Sequence, residues 1–235
     1  MNDRPAWWLD ELAHAGDEHL DLGYVVGYEA KAGYDPADDV RALLGHGLSA
    51  ASTVIDIGAG TGRFAIEIAR HCARVTAVDI SPAMVAALRR RVAEAEVGNM
   101  IVVEGGWLSY EHVDDPVDFV FTRNALHQLP DFWKGIALER VATMLAPGGI
   151  LRLRDLVFDF EPKDATERIA AWFSGAVDDS AKGWTADELS AHVRLEHSTY
   201  TWLFEPLLER AGFEILEREV VRGVYAAYTC RRSRT

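Results

Sequence analysis

The chain has 235 residues, of which 49% are hydrophobic, enough for one α/β domain with a sizeable core or for such a domain with a small lid. Its formal net charge of −13 repels phosphate backbones, so we expect no nucleic-acid partner. Two cysteines, an N-terminus without a basic start and the absence of a long apolar run predict a cytoplasmic protein with no membrane segment and no disulfide framework.

From residue 52 onward, short β-branched runs alternate with helical patterns, which is typical of a parallel sheet built from βαβ units. The predicted strands are Thr53–Ile57, Arg74–Asp79, Met100–Glu104, Val117–Thr122 and Ile150–Val157. Helices are predicted to begin between them, near Thr61, Pro82 and Asp131. The last two strand-like runs, Phe213–Val220 and Val224–Cys230, are separated only by a short turn, so they should pair antiparallel.

A glycine-rich turn follows the first predicted strand, within the segment Val54–Phe64. Glycines permit positive φ angles and let a ligand approach the backbone closely. About twenty residues further on, Asp79 ends the second strand, where a carboxylate can accept both hydroxyls of a ribose. This arrangement predicts a cofactor that contains a nucleoside.

Two cofactor classes fit the glycines. Gly60, Gly62 and Ala65 satisfy the dinucleotide pattern, so an NAD-dependent oxidoreductase is an alternative. A pyrophosphate, however, gains nothing from a neighbouring acid, and Asp56 lies two residues before Gly58. S-adenosylmethionine carries an ammonium and a sulfonium, which match that acid electrostatically.

The segment Val54–Phe64 resembles the first motif of small-molecule-type class I S-adenosylmethionine-dependent methyltransferases. Val78–Met84 resembles their second-strand motif, and Leu145–Gly149 resembles the turn before their fifth strand. The resemblance covers about residues 50 to 157 and implies a Rossmann-like, doubly wound α/β fold. Its mostly parallel sheet would have seven strands in the order 3-2-1-4-5-7-6, with an antiparallel C-terminal hairpin and a helical cap. It also implies methyltransferase activity, with S-adenosyl-L-methionine as cofactor and S-adenosyl-L-homocysteine as product.

Carried over by position, the resemblance implies a set of cofactor contacts around the glycine turn. They are Asp56, Gly58, Ala59, Gly60 and Asn124 near the methionine part, Asp79 on the ribose, and Ile80 and Met84 against the adenine. One departure concerns the loop after the third strand. The family often has Gly-Asp-Ala there, with the acid on the adenine amino group, whereas this chain has Gly105, Gly106 and Trp107. Either Trp107 packs over the adenine in place of that contact or it belongs to the core.

The segment after the fourth strand should face the site, because ligands bind at the carboxyl ends of parallel strands. His127 lies in this segment and is a candidate general base near the transferred methyl group. The alternative is a histidine that satisfies a loop carbonyl. Methyl transfer can also be accelerated by positioning alone, so a dedicated base is not required.

We expect the substrate pocket to be built from regions outside the common sheet. Four segments are predicted: an N-terminal helical cap over residues 1–48, a cofactor-binding core over 49–157, a helical insertion or substrate lid over 158–210, and a hairpin over 211–235 that completes the sheet. The substrate candidates are Tyr24, Tyr28, His127, Arg194, His197 and Tyr200.

The acceptor is predicted to be a small molecule, bound by a monomer or homodimer. A catalytically silent S-adenosylmethionine-binding protein is a further alternative. No metal site is expected, because His192 and His197 are five residues apart, which is a poor spacing for one helix face.

Overall fold

The computed structural model describes residues 4–16, 25 and 33–233. Its strands are β1 (Thr53–Ile57), β2 (Arg74–Asp79), β3 (Met100–Glu104), β4 (Val117–Arg123), β5 (Leu145–Phe158), β6 (Thr199–Tyr200), β7 (Phe213–Val221) and β8 (Tyr225–Arg232). The α-helices are α1 (Ala37–Gly45), α2 (Arg63–Ile68), α3 (Pro82–Glu94), α4 (Asp131–Met144), α5 (Ala165–Phe173), α6 (Ala186–Leu195) and α7 (Thr201–Arg210). None of these helices is long and apolar enough to cross a lipid bilayer.

The main sheet has the order β3-β2-β1-β4-β5-β8-β7, with β8 antiparallel to both of its neighbours. This confirms the predicted fold class and strand order, apart from one additional short strand. That strand, β6, pairs only two residues with the end of β5 and is too short to leave a periodic signal. β5 also begins at Leu145, five residues earlier than predicted, because Leu145 pairs with Val117 ahead of a register shift.

Alternating residues of the central strands feed two separate cores, one on each face of the sheet. Val54 and Phe121 pack with α1 and α2 on one face. Ile55, Ile57 and Val120 pack with α4 and α7 on the other. Helices on both faces leave the carboxyl ends of β1, β2 and β4 exposed along one edge, where their connecting loops meet.

Two helices begin at the caps that their sequences indicate. The Ser81 side chain accepts a hydrogen bond from Met84 N (3.1 Å) at the start of α3, ahead of Pro82. Thr185 and Glu188 form a capping box at the start of α6. These caps fix where each helix begins relative to the sheet edge.

The N-terminal segment 4–16 lies against the loops that follow β3 and β4. Trp8 packs edge-on against Trp133 of α4, with ring centroids 5.2 Å apart. The Gln128 side chain, in the loop after β4, donates a hydrogen bond to Ala15 O (3.1 Å). This segment therefore lies directly above the loops that carry the predicted site residues.

Candidate functional site

The glycine turn presents bare backbone at the end of β1. Gly58 N and Ala59 N donate hydrogen bonds to Val78 O (2.9 and 3.0 Å), which ties the turn to β2. Gly58 has φ 73°, and a Cβ there would lie 2.4 Å from the Ala125 Cβ. Gly60 has φ 54° and open space around the position of a Cβ. A ligand can therefore contact the backbone at Gly60 directly.

Asp79 lies at the end of β2 beside this turn. Its Oδ2 accepts a hydrogen bond from Gly60 N (2.7 Å), and its Oδ1 accepts one from Ser81 N (2.9 Å). Burial raises the pKa of Asp79 to about 6, although these two hydrogen bonds oppose the shift. The carboxyl is thus held rigidly at the position predicted for a ribose contact.

Three buried acids surround the turn. Burial and the neighbouring Asp79 raise the pKa of Asp56, and burial raises the pKa of Glu11. Glu11 in turn raises the pKa of Asp79. A cationic ligand relieves repulsion among these groups, whereas a pyrophosphate adds to it. The electrostatics therefore fit the sulfonium cofactor and oppose a dinucleotide.

A cleft at the turn, here called the turn cleft, collects most of the predicted cofactor residues. Its lining includes Gly58, Gly60, Asp79, Ile80, Met84, Gly106, Trp107 and Asn124. The remaining two, Asp56 and Ala59, line an adjoining depression together with Gly58 and Gly60. The structure thus brings all ten residues around one turn.

Glu11 supplies a carboxylate at the loop where the family usually has an aspartate. Its oxygens accept hydrogen bonds from Trp107 N, from Leu108 N (3.0 Å) and from Ser109 Oγ (3.1 Å). A Cβ at Gly106 would lie 2.2 Å from Glu11 Oε1. The Glu11 side chain therefore occupies the space into which a side chain at Gly106 would project.

Trp107 is 4% exposed and packs in the core beneath the loop while it also borders the turn cleft. Trp107 is therefore a core residue, and its packing over the adenine stays a prediction. Glu11 itself carries no local sequence signal, because it lies 96 residues from Trp107 along the chain.

The loop after β4 holds Asn124 and His127. Asn124 has a left-handed backbone (φ 50°), and its N–H donates to Arg154 O (2.8 Å). His127 is 6% exposed, and its N–H donates to Asp155 Oδ2 (3.0 Å). Its ring Nδ1 contacts Asp155 Oδ1, and its Nε2 lies 2.8 Å from Glu196 Oε2. Both ring nitrogens of His127 therefore face carboxylates.

These contacts bear on the predicted role of His127 as a general base. Burial would lower the pKa of His127, but Asp155 and Glu196 outweigh it and raise the pKa to about 10. The same contacts lower the pKa values of Asp155 and Glu196 against the effect of burial. In this arrangement His127 has no nitrogen free to accept a proton from a substrate.

His192 joins His127 and Glu196 in a compact cluster. Its Nδ1 contacts Glu196 Oε2, and its Nε2 is hydrogen bonded with Ser198 Oγ (2.8 Å). One donor atom from each member of the cluster lies within 4.8 Å of the others. The spacing of His192 and His197 predicts no metal site. In the structure, however, His192 lies beside Glu196, four residues away, and beside His127 from another loop.

A second cavity, here called the histidine cavity, has a volume of about 430 Å³. It lies between the loop after β4 and helix α6. Its lining includes His14, Asn124, His127, Gln128, Trp172, Trp184, Glu188, Ala191, His192, Glu196 and Tyr225. His14, Asn124 and Gln128 also line the turn cleft, so the two spaces adjoin at a common wall.

The other predicted substrate residues lie elsewhere. Arg194 is exposed on the outer side of α6, and Tyr200 stacks on Trp202 (centroids 5.3 Å apart). His197 is half-buried, and its N–H donates to His127 O (2.9 Å). None of these three is among the described residues that line either cavity. The predictions for Tyr24 and Tyr28 lie outside the described residues.

A family model described as a methyltransferase domain matches residues 54–149. An uncharacterized methyltransferase of Geobacillus kaustophilus is 26% identical over 207 residues, covering 87% of this chain and 86% of the relative. These matches span the glycine turn, Asp79 and the loop after β4.

Two solved structures show the same fold. A SAM-dependent methyltransferase from Aquifex aeolicus has a TM-score of 0.60 at 19% identity, covering 95% of this chain and 99% of its own. The N-methyltransferase NodS from Bradyrhizobium japonicum, in complex with S-adenosyl-L-homocysteine, has a TM-score of 0.58 at 19% identity, covering 83% and 86%. With the acidic glycine turn and the sheet order, the family model and the Geobacillus relative support a class I S-adenosylmethionine-dependent methyltransferase.

Proposed function

We propose that this methyltransferase acts on a small-molecule acceptor bound in the histidine cavity. The observation that carries the proposal is the wall of His14, Asn124 and Gln128 shared by that cavity and the turn cleft. A molecule in the cavity would therefore lie next to the cofactor, at the three residues that both spaces share. The volume of about 430 Å³ falls in the range typical of small-ligand pockets.

The turn cleft would hold the cofactor in a fixed orientation. Asp79 would accept the ribose hydroxyls, Ile80 and Met84 would contact the adenine, and the backbone at Gly58 and Gly60 would border the methionine part. Asp56 and Ala59 would support this part from the adjoining depression. When bound, S-adenosylmethionine supplies a methyl group already activated by a sulfonium.

Glu11, Gly106 and Trp107 would form the adenine end of the site. The Glu11 carboxylate occupies the space into which a side chain at position 106 would project, and its charge raises the pKa of Asp79. A carboxylate oxygen can accept more than one hydrogen bond, so Glu11 can hold the loop and still accept the adenine amino group. We assign it the role that the family gives to an aspartate at position 106.

Positioning is the main catalytic contribution that the site supports. Asn124 lies on the shared wall and is fixed by its hydrogen bond to Arg154 O. It would orient the acceptor toward the methyl group. Holding two reactants in line can supply a large share of the acceleration, on the order of 7–11 kcal/mol.

A catalytically silent binding protein is the competing function. It requires a cofactor site with no room for an acceptor beside the methionine part. The histidine cavity, which includes the predicted residue His127, argues against it.

A cavity-filling variant tests the acceptor site. Ala191 of α6 lines the cavity, so Ala191→Trp should occupy the acceptor space. Val193 is 40% exposed on the same helix, and Val193→Trp is the matched control. Each protein would be incubated with methyl-labelled S-adenosylmethionine and either the filtered small-molecule fraction or the protein fraction of a cell extract.

We expect label in the small-molecule fraction with the wild type and Val193→Trp, and its loss with Ala191→Trp. Calorimetry should show that all three bind S-adenosylhomocysteine equally. Transfer of label to the protein fraction alone would contradict a small-molecule acceptor, and undiminished transfer by Ala191→Trp would contradict the cavity.

A further inference from the structure

The cluster of His127, His192 and Glu196 has the composition of a transition-metal site. Two imidazole nitrogens and one carboxylate oxygen converge, each donor atom within 4.8 Å of the others. Donor atoms around one zinc ion are about 3.4 Å apart, given bond lengths of about 2.1 Å and tetrahedral angles. Small side-chain adjustments would bring all three atoms onto one ion. Nitrogen donors favour zinc and its neighbours over magnesium or calcium.

Each histidine is held by its other ring nitrogen. His127 Nδ1 contacts Asp155, and His192 Nε2 is hydrogen bonded with Ser198 Oγ (2.8 Å). A carboxylate or hydroxyl behind the imidazole is the usual way in which proteins orient a metal-ligating histidine. The ring of Trp172 lies edge-on to His192, with centroids 5.7 Å apart and an interplanar angle of 88°, and restricts its rotation.

The Glu196 carboxylate has a buried oxygen whose hydrogen-bonding capacity is unmet by the described residues. Its Oε2 is buried and within ion-pair distance of both imidazoles, 2.8 Å from His127 Nε2. It nevertheless accepts no hydrogen bond of normal geometry from the described residues. A cation between the three groups would satisfy this oxygen.

We propose that His127, His192 and Glu196 bind one divalent transition-metal ion, zinc or a close analogue, with its remaining coordination positions open to the histidine cavity. All three residues line that cavity. A three-ligand site with open positions is typical of a metal that binds substrate. Resting on the proposed function, we further infer that an oxygen atom of the acceptor occupies an open position, which selects hydroxylated or carboxylated acceptors.

Cobalt binding tests the site without any acceptor. The full chain, freed of metal with a chelator, would be titrated with Co²⁺ while its visible absorption is recorded, and then with Zn²⁺. We expect one equivalent of Co²⁺ to give a visible band that one equivalent of Zn²⁺ removes and that excess Mg²⁺ does not. His192→Ala and Glu196→Gln should weaken Co²⁺ binding by at least about a hundredfold, and Asp155→Asn by about 10–100-fold.

His71→Ala is the matched control, because His71 lies on the surface beside Glu67 and should not affect Co²⁺ binding. A wild type without a visible band, or a band of unchanged affinity in His192→Ala and Glu196→Gln, would overturn the metal site and leave a plain ion-pair cluster. The methyl-transfer assay with the two extract fractions separates the two proposals. Label in the protein fraction alone, together with an intact cobalt band, would reject the proposed function and leave the metal site standing.

Discussion

Asp79 connects cofactor binding to pH, because its carboxyl is ionised less readily than usual. In the free protein its pKa is about 6, raised by burial and by Glu11. A ribose that donates hydrogen bonds to the carboxylate favours the ionised form, so the pKa should fall when the cofactor binds. Binding therefore releases a proton below pH 6, and affinity is lost as the pH falls through that value.

We predict that the Kd for S-adenosylhomocysteine is flat above about pH 7 and rises by up to about tenfold per unit below about pH 6. Calorimetry across this range would measure it. Asp79→Asn should bind weakly with a flat profile, since no carboxyl remains to titrate. Glu11→Gln is the control for the other nearby acid and should keep the slope. A slope that persists in Asp79→Asn assigns the effect to Glu11 or Asp56.

Glu11 and Gly106 should behave as one functional unit. We predict that Glu11→Ala weakens S-adenosylhomocysteine binding by about tenfold or more, the loss expected for a hydrogen bond to a charged group. In a Gly106→Asp background, Glu11→Ala should change the Kd only slightly, because the introduced aspartate would place its carboxylate in the space that Glu11 leaves. The Kd values of the four proteins form a double-mutant cycle. Equal losses in both backgrounds would show that the two positions are independent.

At the residue scale, the sequence predicted the local features of the site and missed the distant ones. Asp79 and Gly60 follow from a strand and a turn that are continuous in the chain. Glu11 is brought to Trp107 only by tertiary folding. His192 and Glu196 are close in the chain, but Glu196 follows the end of α6 in extended backbone, and His127 completes the cluster from another element.

Helix α6 carries His192 and ends directly before Glu196, and both residues line the histidine cavity, so the stability of α6 should matter for the site. Its start depends on the capping box, in which Glu188 N donates to Thr185 Oγ1 (3.3 Å) and Thr185 N donates to Glu188 Oε2 (2.9 Å). The box satisfies backbone donors that the first turn of a helix leaves unpaired.

We predict that Thr185→Ala destabilises α6 by about 1 kcal/mol. Hydrogen exchange should become faster for the amides of residues 186–195, with little change in the central strands. Thr185→Ser keeps the hydroxyl and should restore protection. Unchanged exchange in Thr185→Ala would mean that packing, not the cap, fixes the start of α6.

At the element scale, the strands were predictable because each central strand is a short β-branched run that is buried on both faces. The early start of β5 was not, because Pro147 and the two glycines after it read as a helix stop. The chain in fact leaves α4 at Met144 and enters the sheet immediately. The two-residue strand β6 exists only because the end of β5 offers it a partner.

At the scale of the whole molecule, a buried ion cluster joins α1 to the centre of the sheet. Asp39 is fully buried and accepts hydrogen bonds from Arg152 Nε (3.1 Å), Arg154 Nη1 (2.8 Å) and Tyr34 OH (2.7 Å). Removing one partner of such a cluster leaves buried charge uncompensated.

We predict that Asp39→Ala lowers the free energy of unfolding by about 3–5 kcal/mol. Asp38→Ala, the neighbouring acid whose side chain is 74% exposed, should change it by no more than about 0.5 kcal/mol. Denaturant titration of the two variants measures the difference. Arg152 also donates a hydrogen bond to Thr229 Oγ1 (3.0 Å), and a similar small effect in both variants would show that this bond and solvent satisfy the arginines without Asp39.

The N-terminal segment 4–16 borders both ligand spaces, through Glu11 at the turn cleft and Ala13 and Gly16 at the histidine cavity. A short segment that two ligands both touch makes their affinities thermodynamically linked. If the bound cofactor raises the affinity for the acceptor by some factor, the bound acceptor must raise the affinity for the cofactor by the same factor. The enzyme should therefore bind its two substrates synergistically. Cutting the chain within this segment should abolish the synergy and weaken the binding of each ligand.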